Sequence, residues 1–184
     1  MTHPELFVLR HGETVWNVEG RLQGALDSPL TDKGREQAAR QARLLMAALA
    51  SVPIYSSPQG RSLDTARIIG AQFGQDVMQD AALREVSMGD WDGKLVADVA
   101  PINPKDALLW KFDAPGGDRL EGFRARILAF VTALTSPAIL VTHGVTSRVL
   151  RGALLGVPDD ELVKLPGGQG VVFHLKDGVQ TCLE

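Results

Sequence analysis

The chain has 184 residues, a formal net charge of −3, 45% hydrophobic and 22% charged residues. That is an ordinary globular composition, and its mild acidity excludes a general binder of nucleic acid. No apolar run approaches the roughly 20 residues of a membrane span, and the single cysteine, Cys182, cannot form an internal disulfide. Only about five apolar residues precede Arg10, too few for a signal segment, so the expected location is the cytoplasm. One domain over residues 1–184 is expected, as a monomer or homodimer.

The first element is an apolar run, Leu6 to Leu9, read as a buried strand. It ends in Arg10-His11-Gly12-Glu13-Thr14. The Gly, Asn, Asp and Pro residues up to Pro29 then read as a loop. Thr31 caps a helix whose apolar face is Ala38, Ala42, Leu45 and Leu49. Gly34 in its first turn weakens the helix and points to close packing. Val52 to Tyr55 is a second strand, leading into Ser56-Ser57-Pro58. A helix follows, with Leu63, Ala66, Gly70 and Phe73 on one face and Arg61 in its first turn. A cation there is disfavoured by the helix dipole unless an anion sits beside it.

Val77-Met78 reads as a short strand. Residues 86–118 are irregular and read as a lid-like excursion over the sheet edge, with two short helices between Lys94 and Phe112. Leu120 to Thr135 is a helix with Phe123, Ile127, Phe130 and Leu134 inward. Ala138 to Val141 is the other strongly apolar strand, and Thr142-His143-Gly144 follows it. The next helix turns Val145, Val149 and Ala153 inward and ends near Gly156. A terminal hairpin turns at Lys176-Asp177-Gly178. Alternation of this kind predicts a three-layer α/β/α fold with a mostly parallel sheet and helices on both faces.

In such sheets ligands bind beyond the carboxyl ends of the strands. Arg10 and His11 follow the first strand, Arg61 the second, and His143 the last apolar one. A lone Arg-His pair is more often solvated than catalytic; four such groups converging is another matter. Arginine grips phosphate bidentately, and a neutral histidine is a nucleophile. No cysteine or acidic cluster has metal-ligand spacing, so neither metal nor cofactor is expected. The arginines would neutralise the phosphoryl charge instead.

These residues carry a family resemblance. Leu9 to Thr14, Trp16-Asn17, Gln23-Gly24, Asp27 to Thr31, Ser56-Ser57-Pro58 with Arg61, Thr65-Ala66, Glu85 with Gly89 to Gly93, and Thr142-His143-Gly144 occur in an order that resembles the histidine phosphatase superfamily. That group includes cofactor-dependent phosphoglycerate mutase and bacterial phosphatases. The resemblance implies that His11 is the phosphorylated nucleophile and that Arg10, Arg61 and His143 surround the phosphoryl group. It implies that Glu85 is the general acid and then the base. It also implies that Thr14, Asn17, Gln23, Gly24 and the Gly144 backbone contact phosphate or the His11 loop. Glu13 ranks as structural. Gln59 and Ser62 stand where the family often has Leu and Ala, and Asp118 replaces a Glu.

The expected activity is metal-independent hydrolysis of a phosphorylated small molecule. The alternatives are a phosphoglycerate mutase-type phosphotransferase and a non-catalytic phospho-ligand binding module. The excursion carries only Lys94, Lys105, Lys111 and Arg119 as cations, which favours hydrolysis over the mutase.

Overall fold

The computed structural model describes residues 3–100 and 108–184. The two strongest apolar runs are β1 (Leu6–Arg10) and β4 (Ala138–Thr142). They pair in parallel, Leu6 opposite Ala138 and Arg10 opposite Thr142. Both are apolar throughout because both faces of a central parallel strand are covered. β2 (Ile54–Ser56) flanks β4, and β3 (Val77–Gln79) lies outside it, all parallel. The terminal hairpin, β5 (Val172–Lys176) and β6 (Val179–Leu183), adds two antiparallel strands beside β1. The sheet order is β3-β2-β4-β1-β5-β6. The hairpin turns at Asp177 and Gly178, with φ of 51° and 74°. Positive φ at both central residues gives the type I′ turn that Asp-Gly favours.

Helices cover both faces. α1 (Val15–Glu19) is a single capped turn. α2 (Asp32–Ala48) and α3 (Gly60–Phe73) pack on one face, against Phe7, Leu9, Ile139 and Val141. α4 (Val96–Val99) lies on the excursion. α5 (Leu120–Ala133) and α6 (Gly144–Leu155) pack on the other face, against Leu6, Val8 and Leu140. Among the described residues no helix is long and apolar enough to cross a membrane.

Several faces differ from expectation. Thr31 caps α2 as read, its side chain accepting from the Gly34 N–H, but Leu49 is the C-cap and only half-buried. In α3 the buried residues are Arg61, Ser62, Thr65, Ala66, Ile69 and Gly70, while Leu63 and Phe73 are half-buried. The polar start of that face serves the loops behind the site: Thr65 Oγ1 accepts from the Gly12 N–H at 3.0 Å. α5 buries Phe123, Ile127 and Val131, one straight i, i+4, i+8 line, while Phe130 and Leu134 face the same core but are only half-buried. There Phe130 meets Tyr55 edge-on. In α6, Leu150 and Leu154 are buried and Ala153 is half-buried.

The excursion is not merely a cover over the sheet edge. Val86, Met88, Leu108, Phe112 and Ala114 are all buried in the core above α5 and α6. Their spacing is irregular because 3-10 turns at Gly89–Trp91 and Leu109–Asp113 carry much of the segment. α4 and the second of these turns stand where two short helices were expected; Lys105 and the stretch around it lie outside the described residues.

Gly34 packs closely, as expected. A Cβ on Gly12 would sit 2.1 Å from the Gly34 carbonyl oxygen, and one on Gly34 would sit 2.0 Å from that of Glu13. Both obstacles are backbone, so neither yields easily. Gly34→Ala is expected to cost about 1–3 kcal/mol of stability by overpacking. Urea unfolding reads this as a lowered midpoint; an unchanged midpoint would mean that the Gly12-Glu13 loop yields freely to the start of α2.

Candidate active site

The parallel pairing of β1 with β4 sets His11 beside the start of α6. The His11 N–H donates to the Thr142 carbonyl at 2.9 Å. The His11 and His143 rings stand edge to face, with centroids 5.2 Å apart. His11 is 2% exposed and His143 is fully buried. His11 Nδ1 lies 2.7 Å from the Gly12 carbonyl oxygen. A carbonyl only accepts, so Nδ1 carries the proton and Nε2 keeps its lone pair.

Burial holds the His11 pKa well below the ordinary imidazole value. The charges of Arg10 and Arg61 lower it further, against a smaller opposing effect of the Gly12 bond. Burial also lowers His143 strongly, followed by Arg61, His11 and Arg10. Neither imidazole is a cation at neutral pH.

Arg61 is 1% exposed. Its guanidinium donates to the carbonyls of Leu26 (2.6 Å) and Gly24 (3.0 Å) and pairs with Asp27 at 2.9 Å. Asp27 also accepts from the Arg61 N–H, answering the dipole objection to a cation at the start of α3. Gly24 adopts a positive φ of 49°, and a Cβ there would strike the Asp92 carboxylate. The Arg10 side chain makes no hydrogen bond to the described residues. Arg10 Nε, Arg61 Nε and both His143 ring nitrogens are buried without a protein partner among them. Donors buried this way are costly unless an acceptor joins them.

Glu85 is held by the start of α6. Its carboxylate accepts from the N–H groups of Val145 (3.1 Å) and Thr146 (3.0 Å) and from the Thr146 hydroxyl (2.8 Å). A helix N-terminus suits a carboxylate. Three of the described donors fall on Oε1, namely Val86 N–H and the two of Thr146, while Oε2 takes only Val145.

Of the residues expected at the site, Arg10, His11, Asn17, Gln23, Gly24, Arg61 and Glu85 line one cleft of about 220 Å³. His143 lies buried behind His11. Thr14 does not line the cleft: its hydroxyl accepts from the Asn17 N–H and caps α1, while Asn17 Oδ1 accepts from the Thr14 N–H. The buried Thr is thus consumed by a capping box. Gly144 also lies off this cleft, and a Cβ there would approach Arg10 Nε at 3.5 Å. Glu13 is structural as ranked, bonded to Thr31 and Lys33.

Other residues support the site unannounced. Gln59 donates to the Gly24 carbonyl at 2.7 Å and accepts from the Glu85 N–H at 2.8 Å. The substituted position thus joins two loops of the cleft. Gln169 donates to the His11 carbonyl and to Asn17 Oδ1, and Gln41 to the Arg10 carbonyl. Asp118 accepts from the Ser87 N–H at 2.9 Å, outside the cleft. Arg21 and Lys111 also line the cleft. The sequence marks Gln59 and Asp118 only as departures from the family pattern and Lys111 only as a cation; nothing near Arg21, Gln41 and Gln169 in the chain marks them. Trp91, Trp110 and Phe112 pack into the core and do not line it.

Fold and site together define an α/β protein that gathers unpartnered donors around a neutral histidine. The model of the histidine phosphatase superfamily (branch 1) matches residues 6–180, and the chain belongs to that family. A glucosyl-3-phosphoglycerate phosphatase of Mycolicibacterium vanbaalenii is 39% identical over 181 residues, covering 90% of this chain and 80% of that protein. Phosphoglycerate mutase-like protein 4 of Arabidopsis thaliana is 39% identical over 160 residues, covering 80% and 70%. The solved structure of a mycobacterial glucosyl-3-phosphoglycerate phosphatase in complex with VO3 superposes with a TM-score of 0.80 at 32% identity, over 94% of this chain and 91% of that one.

The buried imidazoles link stability to pH. A histidine with a depressed folded pKa leaves stability intact above the unfolded value near 6.5; stability falls as pH drops below it, because the unfolded chain binds the proton first. Between pH 7.5 and 5.5, His143→Asn is expected to remove about 1 kcal/mol of that loss. Urea unfolding at both pH values checks this; an identical pH dependence in the variant would mean that His143 is not held neutral.

Proposed function

We propose that the protein is a metal-independent phosphomonoester hydrolase working through a phosphohistidine on His11. One observation carries the reading. The Nδ1 proton of His11 is anchored on Gly12, leaving Nε2 free among the unpartnered donors of Arg10, Arg61 and His143. Nε2 attacks phosphorus, forming an N–P bond as the ester P–O bond breaks. Arg10, Arg61 and His143 hold the equatorial oxygens, and the two arginines supply the charge neutralisation that this reaction chiefly needs. Glu85 gives its proton to the leaving oxygen. It then takes one from a water whose oxygen attacks phosphorus, breaking the N–P bond and releasing inorganic phosphate.

The relatives' names favour a phosphorylated small molecule as substrate. The mutase reading would require the same phosphohistidine to be passed back to the bound alcohol rather than to water.

The test is phosphate release from a panel of phosphomonoesters with a chelator present. Release is expected. Its absence, together with interconversion of 2- and 3-phosphoglycerate, would make the protein a mutase. His11→Ala is expected to lower kcat by at least about a thousandfold, as nucleophile removal does in other covalent enzymes; activity within tenfold of wild type would remove His11 from the role. Glu85→Gln is expected to slow alkyl phosphates more than aryl phosphates, because a good leaving group needs less protonation. Equal losses on both would show that Glu85 is not the acid.

A further inference from the structure

The start of α3 carries two side chains that serve the site. Arg61, in the first turn, belongs to the phosphoryl pocket. Gln59 is the N-cap, yet its side chain makes no cap bond. The amide spans two loops instead. Its Oε1 accepts from the Glu85 N–H at 2.8 Å, and its Nε2 donates to the Gly24 carbonyl at 2.7 Å. An N–H only donates and a carbonyl only accepts, so these two partners fix which way the amide faces.

Gly24 continues the chain of contacts. Its carbonyl also accepts from Arg61 Nη2 at 3.0 Å. A continuous run of hydrogen bonds therefore joins Glu85, Gln59, Gly24 and Arg61. The other hydrogen bonds of Glu85 to the described residues go to Val86, Val145 and Thr146. Those to Val145 and Thr146 seat the carboxylate on α6. Among the described residues, only Gln59 ties Glu85 to the loop that cradles Arg61.

Packing does not replace this tie. A cavity of about 140 Å³ adjoins it, and its lining includes Gln59, Arg84, Glu85, Ser87, Asp118 and Arg126. Close-packed interiors have few voids larger than a water molecule, so residue 85 has room to shift on this side. Hydrogen bonding holds it there. The Leu that the family often has at position 59 could bond neither Glu85 nor Gly24.

We propose that Gln59 is a positioning residue that sets the separation between the phosphoryl grip at Arg61 and the proton donor at Glu85. This rests on the phosphatase reading above and deepens it. Proton transfer to the leaving oxygen needs the acid within hydrogen-bond reach of that oxygen. A misplacement of roughly 1 Å can cost about a hundredfold in rate. Gln59 itself touches neither phosphorus nor the leaving group.

The test measures kcat/KM on an alkyl and an aryl phosphate for wild type, Gln59→Met, Glu85→Gln and the double variant. Gln59→Met keeps the side-chain length and removes both hydrogen bonds. It is expected to slow the alkyl ester about tenfold, the effect of one or two hydrogen bonds. The aryl ester is expected to slow no more than about threefold, since its leaving group needs less protonation. In the Glu85→Gln background the same substitution is expected to add little, because the group it positions no longer carries the proton. Gln59→Leu removes the same bonds with a different shape and is expected to show the same split. Retained aryl turnover reports a folded site. Overturning results are no loss on either ester, equal losses on both, or additive losses in the double variant. If wild type hydrolyses neither ester, the phosphatase reading fails, and interconversion of 2- and 3-phosphoglycerate is compared in the same four proteins. A loss in Gln59→Met that vanishes in the Glu85→Gln background keeps the positioning role; an unchanged rate or an additive loss overturns it. Absence of both reactions leaves no acid to position and overturns it too.

Discussion

Burying a guanidinium costs several kcal/mol unless acceptors take the place of water, and this protein buries Arg61 almost completely while holding Arg10 against two buried imidazoles. For Arg61 the cost is offset within the fold, by two carbonyls and by Asp27, which is itself 43% exposed in its side chain and still solvated. For Arg10 the described residues supply no side-chain hydrogen bond, and only the charge of Glu85 acts in its favour. That asymmetry sets the character of the site. Arg61 is fixed in place by its partners with Nε left free, and Arg10 has its side-chain donors free, so both can meet an oxyanion. Burial first, and then this concentration of charge, lowers the pKa of both imidazoles, since protonating either would add another buried cation beside the arginines.

The sheet makes this concentration possible. β1 and β4 are adjacent and parallel, so their carboxyl ends deliver Arg10, His11 and His143 to one edge. β2 on the far side of β4 leads into α3 and places Arg61 at the same edge. Parallel neighbours need long crossovers, so residues that meet here are far apart in the chain. α6 begins at this edge too, and its first N–H groups hold Glu85. Three glutamines then tie the loops together: Gln41 to Arg10, Gln59 to Gly24 and Glu85, and Gln169 to His11 and Asn17. Each bond is neutral and modest, on the order of 1 kcal/mol. Their effect is geometric, fixing loops that carry no regular ladder.

The excursion between Val86 and Asp118 has two duties. Its apolar side chains complete the core over α5 and α6, which anchors the segment. Its polar face then presents Lys111 to the cleft from a firm base. A cover held only by its ends would place a cation less reliably than one whose neighbour, Phe112, packs edge-on against Phe123.

Read alone, the sequence determines what depends on near neighbours. Two apolar runs must be central strands because only burial on both faces tolerates them. Thr31 must cap, Asp177-Gly178 must turn, and Arg10-His11-Gly12 must follow a strand. The family pattern marks His11, Arg61, Glu85 and His143 in the same local way. The tertiary structure alone decides what depends on partners distant in the chain. Gly12 meets Thr65, Gln59 meets Glu85, and Gln169 meets His11 across 158 residues. Tertiary packing also buries the locally capped Thr14, makes the start of the buried face of α3 polar, and draws an irregular excursion into the core. A glutamine or lysine reads as solvated until the fold chooses its neighbour, because a long polar side chain has no periodic signature of its own.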